Sequence, residues 1–257
     1  MPKVFLVRLT ETLANAEGKL ANHTPLTERG RRQAELVGQR LSQYDVNACY
    51  SSELEANYLT AQIISKALGL IVEKCSELNE IHLGAWDGLL KTEIAEKYPS
   101  EWSQFLNPVT EDTDIPEGET FPQVKERAIR KFNEILSRHA PEEILCIVGH
   151  GFVNRVILVT LLGLKLTEVW KFNQFNGAIN AFEVTEDKVK FQFINDFSHI
   201  ENARLEFGES ITGLPWKQNS GRTIASENPS SAKNTGGESL GIYGKRLQCF
   251  LCFTKWD

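Results

Sequence analysis

The hydrophobic positions of the chain fall into two patterns, short apolar runs and stretches with helical spacing. Apolar runs bounded by turn residues predict buried strands. Apolar residues that recur every three or four positions predict amphipathic helices. The predicted strands are residues 3–7, 46–50, 71–73, 144–148, 178–184 and 189–194, and the predicted helices are residues 28–41, 54–68, 91–98, 121–139 and 152–162. This order predicts an α/β fold, a three-layer α/β/α sandwich with a mostly parallel central sheet.

The last part of the chain has a different composition. Residues 217–241 are rich in Ser, Asn, Gly, Thr and Lys and poor in large apolar side chains, which favours disorder. We therefore predict one domain over residues 1–207 and a low-complexity, largely disordered extension over residues 208–257. The apolar residues 247–253 form either a poorly ordered end or a segment that docks on the domain, on a second copy in a homodimer or on another protein.

Composition and charge exclude several function classes. The net charge of −6 argues against nucleic-acid binding, and no apolar run approaches the length of about 18 residues that would suggest a membrane span. Five scattered cysteines favour reduced thiols and a cytoplasmic location. Cys249 and Cys252 have the spacing of half a zinc site, but no second pair lies nearby, so neither a metal nor a cofactor is predicted.

Seven short segments carry the candidate chemistry. They are VFLVRLTET at residues 4–12, TPLTERG at 24–30, SSEL at 51–54, LNEIHLGAWDG at 78–88, EGET at 117–120, VGHG at 148–151 and NDFSH at 195–199. Their order and spacing resemble the histidine phosphatase superfamily, the phosphoglycerate-mutase-like proteins. The resemblance implies that a phosphoryl group moves to a histidine after the first strand. Two arginines and a second histidine would hold its oxygens, and an acid would protonate the leaving group.

Several family positions are present in this chain. The first arginine corresponds to Arg8, the acid to Glu80 and the second histidine to His150. Thr12 and Asn15 stand where the family places a hydroxyl and an amide beside the phosphate. The resemblance thus implies catalytic roles for Glu80 and His150, and phosphate binding by Arg8, Thr12, Asn15 and His150.

Two central family positions are substituted. Leu9 stands where the phosphorylated histidine would lie, and Ala56 stands where the second arginine would lie. Leucine has no lone pair that can attack phosphorus. We therefore predict a pseudophosphatase that binds a phosphorylated or anionic small molecule, or that acts as a scaffold. The alternative is a slow phosphomonoesterase with a rewired site, in which another histidine such as His23, His82 or His150 is the nucleophile.

The retained residues also have purely structural interpretations. Arg8 would pair with a carboxylate such as Glu80, His150 would cap the helix that follows it, and Glu80 would be a solvated surface acid. The positions of these three side chains in the fold test the structural interpretations against the catalytic and phosphate-binding ones.

Overall fold

A six-stranded sheet lies at the centre of the protein. The computed structural model describes residues 2–111, 114–185 and 188–200. The strands are β1 (Lys3–Arg8), β2 (Val46–Ser51), β3 (Val72–Lys74), β4 (Ile144–Gly149), β5 (Ile179–Val184) and β6 (Val189–Asp196). Their order in the sheet is β3-β2-β4-β1-β5-β6. The four strands from β3 to β1 are parallel, whereas β5 and β6 pair antiparallel. The predicted mostly parallel α/β sheet is confirmed.

Seven α-helices connect the strands within the described residues. They are α1 (Leu13–Glu17), α2 (Glu28–Leu41), α3 (Glu55–Leu68), α4 (Lys91–Lys97), α5 (Pro99–Leu106), α6 (Phe121–Ser137) and α7 (Gly151–Leu161). The backbone N–H of Gly30 donates to Thr27 Oγ1 at 2.8 Å, which fixes the start of α2. Gly69 ends α3 with φ of 69°, a left-handed conformation that glycine adopts without strain. The helices α1 and α5 were not predicted, because both are too short to show a helical period.

The helices form two layers, one on each face of the sheet. Helices α2 and α3 pack against each other, and α6 packs against α7. Val4 and Leu6 are fully buried in the same apolar cluster as Phe132 and Val153 of the second layer. Since alternate residues of a strand point to opposite faces, this cluster identifies the face of β1 that the second layer covers.

The middle of the sheet determines where the candidate site lies. In the parallel pair of β1 and β4, Arg8 lies opposite Gly149, so both strands end at the same level. The backbone N–H of Leu9 donates to the carbonyl of Gly149 at 2.8 Å, just beyond the strands. Residues that follow β1 and β4 therefore meet at one edge of the sheet, where ligand sites form in open α/β sheets.

The C-terminal extension lies outside the described residues. The predicted boundary at residue 207 and the predicted disorder of residues 208–257 stay predictions. In the part of the chain that the structure describes, every helix is too short or too polar to cross a membrane.

Candidate functional site

All seven positions singled out from the sequence line one cavity at the carboxyl edge of the sheet. The cavity has a volume of about 460 Å³, within the range of small-molecule sites. The seven lining residues are Arg8, Leu9, Thr12, Asn15, Ala56, Glu80 and His150. The site is therefore assembled from the ends of β1 and β4, the start of α3 and the loop that follows β3.

Arg8 is held at the floor of the cavity by a backbone carbonyl. Its Nη1 donates to the carbonyl of Gln174, and its Nε is buried with no acceptor among the described residues. Burial lowers the pKa of the Arg8 guanidinium, and the nearby Glu80 carboxylate opposes this shift. No ion pair within 4.0 Å joins Arg8 to Glu80, so the interpretation of Arg8 as a structural partner of that carboxylate is wrong. A buried N–H without an acceptor is costly.

Leu9 and Ala56 both line the cavity and are nearly buried. They form an apolar cluster with Leu26, and the exposed fractions of Leu9 and Ala56 are 8% and 4%. Leu59 and Ile63 of α3 also pack against the cluster. At the two positions where the resemblance places a nucleophile and a cation, the chain thus has aliphatic side chains that are packed together.

Two neighbouring polar side chains, which the sequence analysis did not single out, tie this region to the sheet. The Thr10 hydroxyl lies 3.2 Å from that of Thr60 on α3. Asn57 accepts from the backbone N–H of Ser52 at 3.1 Å and donates to the carbonyl of Gly149 at 2.8 Å. Asn57 thereby joins the ends of β2 and β4, and its side chain is fully buried outside the cavity lining.

His150 occupies the end of β4 as a buried, neutral side chain. Its Nε2 lies 2.7 Å from the hydroxyl of Ser52, and it makes no side-chain hydrogen bond to the start of α7. The interpretation of His150 as a helix cap is therefore wrong. Burial lowers the pKa of His150 to about 4, the charge of Arg8 adds to this shift, and Glu80 opposes it. The imidazole is thus uncharged at neutral pH.

The lowered pKa of His150 predicts a loss of stability in mild acid. The unfolded chain binds a proton at this histidine below its ordinary pKa of 6.5, whereas the folded protein does so only near pH 4. Between pH 7 and pH 5.5, the wild type should lose about 1 kcal/mol more of its free energy of unfolding than His150→Gln does. Urea unfolding of both proteins at the two pH values measures the difference, and equal losses would contradict a buried neutral His150.

Glu80 binds the start of α7. One carboxylate oxygen accepts from the backbone N–H of Phe152 at 2.9 Å, and the other accepts from Val153 at 3.1 Å. The backbone N–H of Ile81 donates to the second oxygen as well, at 3.1 Å. A carboxylate in this position satisfies helix N–H groups that have no partner within the helix. The interpretation of Glu80 as a solvated surface acid is therefore wrong.

Arg127 on α6 positions the loop that carries Glu80. Its two Nη atoms donate to the carbonyls of Glu77, Asn79 and Glu80 at 2.6–3.1 Å. Its Nε and one Nη also donate to the Glu119 carboxylate, both at 2.7 Å. Burial raises the pKa of Glu119, but the hydrogen bonds from Arg127 and the backbone N–H of His82 outweigh it and lower the pKa overall. The EGET segment of the sequence therefore acts by anchoring this arginine.

Thr12 and Asn15 line the cavity but bond to each other. The Thr12 hydroxyl accepts from the backbone N–H of Asn15 at 3.2 Å, and the Asn15 side chain accepts from the backbone N–H of Thr12 at 3.2 Å. This reciprocal capping box starts α1. The side-chain amide of Asn176 also donates to Asn15 Oδ1 at 2.9 Å. The predicted phosphate contacts of both side chains stay predictions.

The cavity contains further residues that sequence reasoning missed. Arg155 donates to the carbonyls of Phe172 at 2.8 Å and Gly151 at 2.7 Å, and its guanidinium lies 4.9 Å from the ring centre of Trp170. Burial lowers the pKa of Arg155 to about 10, and Arg8 adds to this shift. Lys91, the first residue of α4, also lines the cavity. These residues come from distant segments, so only the fold brings them together.

His150 is the histidine that lines the cavity within the described residues. All five histidines of the chain lie in this described part. His23 and His82 are exposed outside it. Among residues 2–111, 114–185 and 188–200, no three His, Cys, Asp or Glu side chains are grouped as metal ligands would be. Cys249 and Cys252 lie outside the described residues.

Comparison with known proteins places this fold and site in one family. Residues 4–197 match the histidine phosphatase superfamily (branch 1), and the chain belongs to this family. Phosphoserine phosphatase 1 of Hydrogenobacter thermophilus is 30% identical, over 82% of this chain and 100% of its own length. Phosphoglycerate mutase-like protein 4 of Arabidopsis thaliana is 34% identical, over 77% of this chain and 87% of its own. The structure of Bacillus stearothermophilus YhfR superposes with a TM-score of 0.72 at 28% identity, over 78% of this chain and 100% of that chain.

Proposed function

We propose that this member of the histidine phosphatase superfamily is a pseudophosphatase that binds an anionic small molecule in the cavity at the end of β1. The observation that carries the proposal is the apolar cluster that Leu9 and Ala56 form with Leu26 beside the cavity. The family mechanism needs a lone pair at the first position and a cation at the second. Leu9 has no lone pair, and Ala56 has no charge.

The energetic consequences of these two substitutions support the loss of turnover. Removing a nucleophile from a covalent enzyme typically costs on the order of a million-fold in kcat. Removing one donor to a developing oxyanion costs about 2.7–4 kcal/mol of transition-state stabilisation. The two losses are not additive, but either is severe. Leu9 also adds an aliphatic side chain to the lining of a cavity in which a phosphoryl group would have to be held.

The retained residues support binding in place of catalysis. Arg8 keeps its position at the cavity floor with a buried N–H that lacks an acceptor. Glu80, the family's proton donor, has both oxygens occupied by helix N–H groups. His150 shares one hydrogen bond with the hydroxyl of Ser52. Its imidazole carries no charge at neutral pH. The cavity therefore keeps an anion-attracting floor.

Hydrolysis of p-nitrophenyl phosphate and of phosphoserine by the purified protein tests the proposal. Wild type, His150→Ala and the matched control His23→Ala should all show no turnover above buffer. The control changes an exposed histidine outside the cavity. Wild-type turnover that His23→Ala keeps and His150→Ala loses would contradict the proposal. That result would instead support a rewired phosphomonoesterase with His150 as its nucleophile.

The proposed function also includes a cellular location and binding partners. We propose a cytoplasmic protein with a small-molecule ligand and no nucleic-acid partner, on the grounds of its charge and reduced cysteines. A scaffolding role or a homodimer through the extension is a further proposal, since the extension lies outside the described residues. The oligomeric state of the full chain and of a chain that ends at residue 207 would test it.

A further inference from the structure

A short loop before β5 holds Arg8 at three points. The Arg8 guanidinium donates through Nη1 to the carbonyl of Gln174. The backbone N–H of Arg8 donates to the carbonyl of Ala178 at 2.9 Å, and its carbonyl accepts from the backbone N–H of Gly177 at 3.1 Å. Residues 174–178, which we call the arginine loop, therefore fix both the side chain and the backbone of this cavity residue.

The NDFSH segment contacts the arginine loop through three of its five residues. The backbone N–H of Phe175 donates to Asn195 Oδ1 at 2.7 Å. The rings of Phe175 and Phe197 make an edge contact, with centroids 4.6 Å apart. His199 Nε2 donates to the carbonyl of Gly177 at 3.1 Å. The segment that ends the described chain thus holds the loop that holds Arg8.

The other two residues of NDFSH attach the segment to α2. Arg40 Nη2 donates to Asp196 Oδ2 at 2.6 Å, and Arg40 Nη1 donates to the hydroxyl of Ser198 at 3.2 Å. Arg40 and Asp196 are both partly buried, which protects their ion pair from solvent screening. Each residue of the segment therefore either contacts the arginine loop or anchors the segment to a helix.

Asn195 and Arg8 bind opposite ends of one peptide group. The carbonyl of Gln174 and the N–H of Phe175 belong to the same peptide unit, which is planar and trans. Because this plane is rigid, the hydrogen bond from its N–H to Asn195 determines the direction in which its carbonyl points towards Arg8. A hydrogen bond at one end of the unit also polarises it and strengthens the bond at the other end.

The backbone of Asn195 has a conformation that few residues adopt. Its φ is 58°, in the left-handed region, which asparagine tolerates better than most residues that have a side chain. Its backbone N–H donates to Asn180 Oδ1 at 2.9 Å, and Asn180 forms two reciprocal amide hydrogen bonds with the buried Gln174 side chain at 2.8 and 2.9 Å. Such a conformation persists only where surrounding contacts maintain it, and it is often found at functional sites.

We propose that Asn195 is a positioning residue of the cavity, which holds the Arg8 guanidinium in its binding orientation through the Gln174–Phe175 peptide. This inference gives the NDFSH segment a role in ligand binding. The effect of Asn195 on the orientation of the guanidinium does not depend on which ligand binds. Its effect on affinity rests on the proposed function, because it assumes that the cavity binds an anion.

Nuclear magnetic resonance of the Arg8 guanidinium in the full-length protein tests the proposal. The signals are assigned through their correlation with the Arg8 backbone. A guanidinium that is held through Nη1 rotates slowly about its Nε–Cζ bond, so we expect slow rotation for Arg8 in the wild type. Rotation of Arg8 as fast as that of the exposed Arg130 would overturn the proposal without the need for any variant.

Two substitutions of Asn195 separate its hydrogen bond from its backbone conformation. Glycine adopts a φ of 58° without strain and removes the acceptor, whereas aspartate tolerates the same φ and keeps an acceptor oxygen. We expect rotation of the Arg8 guanidinium to be about tenfold faster in Asn195→Gly, the scale of one hydrogen bond to a charged group. In Asn195→Asp it should stay close to the wild-type rate. Slow rotation in Asn195→Gly, or equally fast rotation in both variants, would overturn the proposal.

Asn47→Gly is the matched control for a general loss of stability. Asn47 Oδ1 accepts from the backbone N–H of Ile144 at 2.8 Å, at the amino edge of the sheet. The variant therefore removes the same kind of hydrogen bond at the edge opposite the cavity. Rotation of the Arg8 guanidinium should be unchanged in this control. Faster rotation there would show that the measurement follows stability, and it would overturn the proposal.

Titration with inorganic phosphate connects the orientation of Arg8 to binding. We expect Asn195→Gly to bind phosphate about three- to tenfold more weakly than Asn47→Gly, because a guanidinium that is no longer preorganised must be ordered when the anion binds. Equal affinities of these two variants would overturn the role of Asn195 in binding. A wild type that does not bind phosphate would contradict the anion binding of the proposed function, and the rotation rates would still decide whether Asn195 positions Arg8.

Discussion

Replacing Leu9 by histidine and Ala56 by arginine should create phosphatase activity in this protein. The double variant returns a lone pair and a cation to positions that already line the cavity beside Arg8. We expect hydrolysis of p-nitrophenyl phosphate to rise about a hundredfold or more above the wild type, since one oxyanion donor alone accounts for about 10²–10³ in kcat. Each single variant should stay close to the wild type, because groups that act as a unit lose most of their effect when one is absent.

The structure indicates that the fold tolerates this double substitution. Leu9 and Ala56 border the open cavity, so longer polar side chains can extend into it. Thr10 and Asn57, the neighbours of these positions, bond to Thr60 and to the ends of β2 and β4. Neither Thr10 nor Asn57 belongs to the cavity lining.

Two control proteins make the restoration experiment specific. Leu9→Gln/Ala56→Met introduces side chains of similar length without the imidazole or the guanidinium, and it should remain inactive. Adding His150→Ala to the active double variant should remove the gained turnover. An inactive double variant that folds and binds 2-naphthyl phosphate would show that these two positions do not account for the loss of activity.

The central part of the fold could be predicted because local sequence determines it. The apolar run before Arg8 and the run before Gly149 each form a buried strand, and Thr27 and Gly69 mark helix ends by their ordinary capping chemistry. The parallel arrangement then brings Arg8 and His150 to one edge. The hydrophobic pattern alone was sufficient to predict these elements. It did not predict α1, because this helix has only five residues and starts with a capping box.

The partners of the site residues could not be predicted, because they come from distant parts of the chain. The acceptor for Arg8 is the carbonyl of Gln174, 166 residues further along the chain. The arginine that fixes the Glu80 loop lies on α6, where its sequence context is that of an ordinary amphipathic helix. The sequence predicted that Leu9 and Ala56 stand at the nucleophile and arginine positions, but the fold was needed to show that both belong to one apolar cluster with Leu26.

Removing the carboxylate of Glu80 should destabilise the protein, whether or not the protein turns over a substrate. Glu80→Ala leaves the N–H groups of Phe152 and Val153 without their acceptor. We expect the free energy of unfolding near pH 7 to fall by about 2–3 kcal/mol, from lost helix capping and the helix-dipole interaction. Glu80→Gln keeps one acceptor and should lose about half as much.

Urea unfolding of these variants, with Glu96→Ala as control, decides what Glu80 does in this chain. Glu96 is an exposed carboxylate on α4, and its removal should change the free energy of unfolding by less than about 0.5 kcal/mol. A Glu80→Ala variant as stable as this control would mean that the carboxylate is free to act as an acid. A clear loss of stability would mean that Glu80, for which the family resemblance implies the role of proton donor, holds the start of α7, and this structural role does not depend on a nucleophile at residue 9.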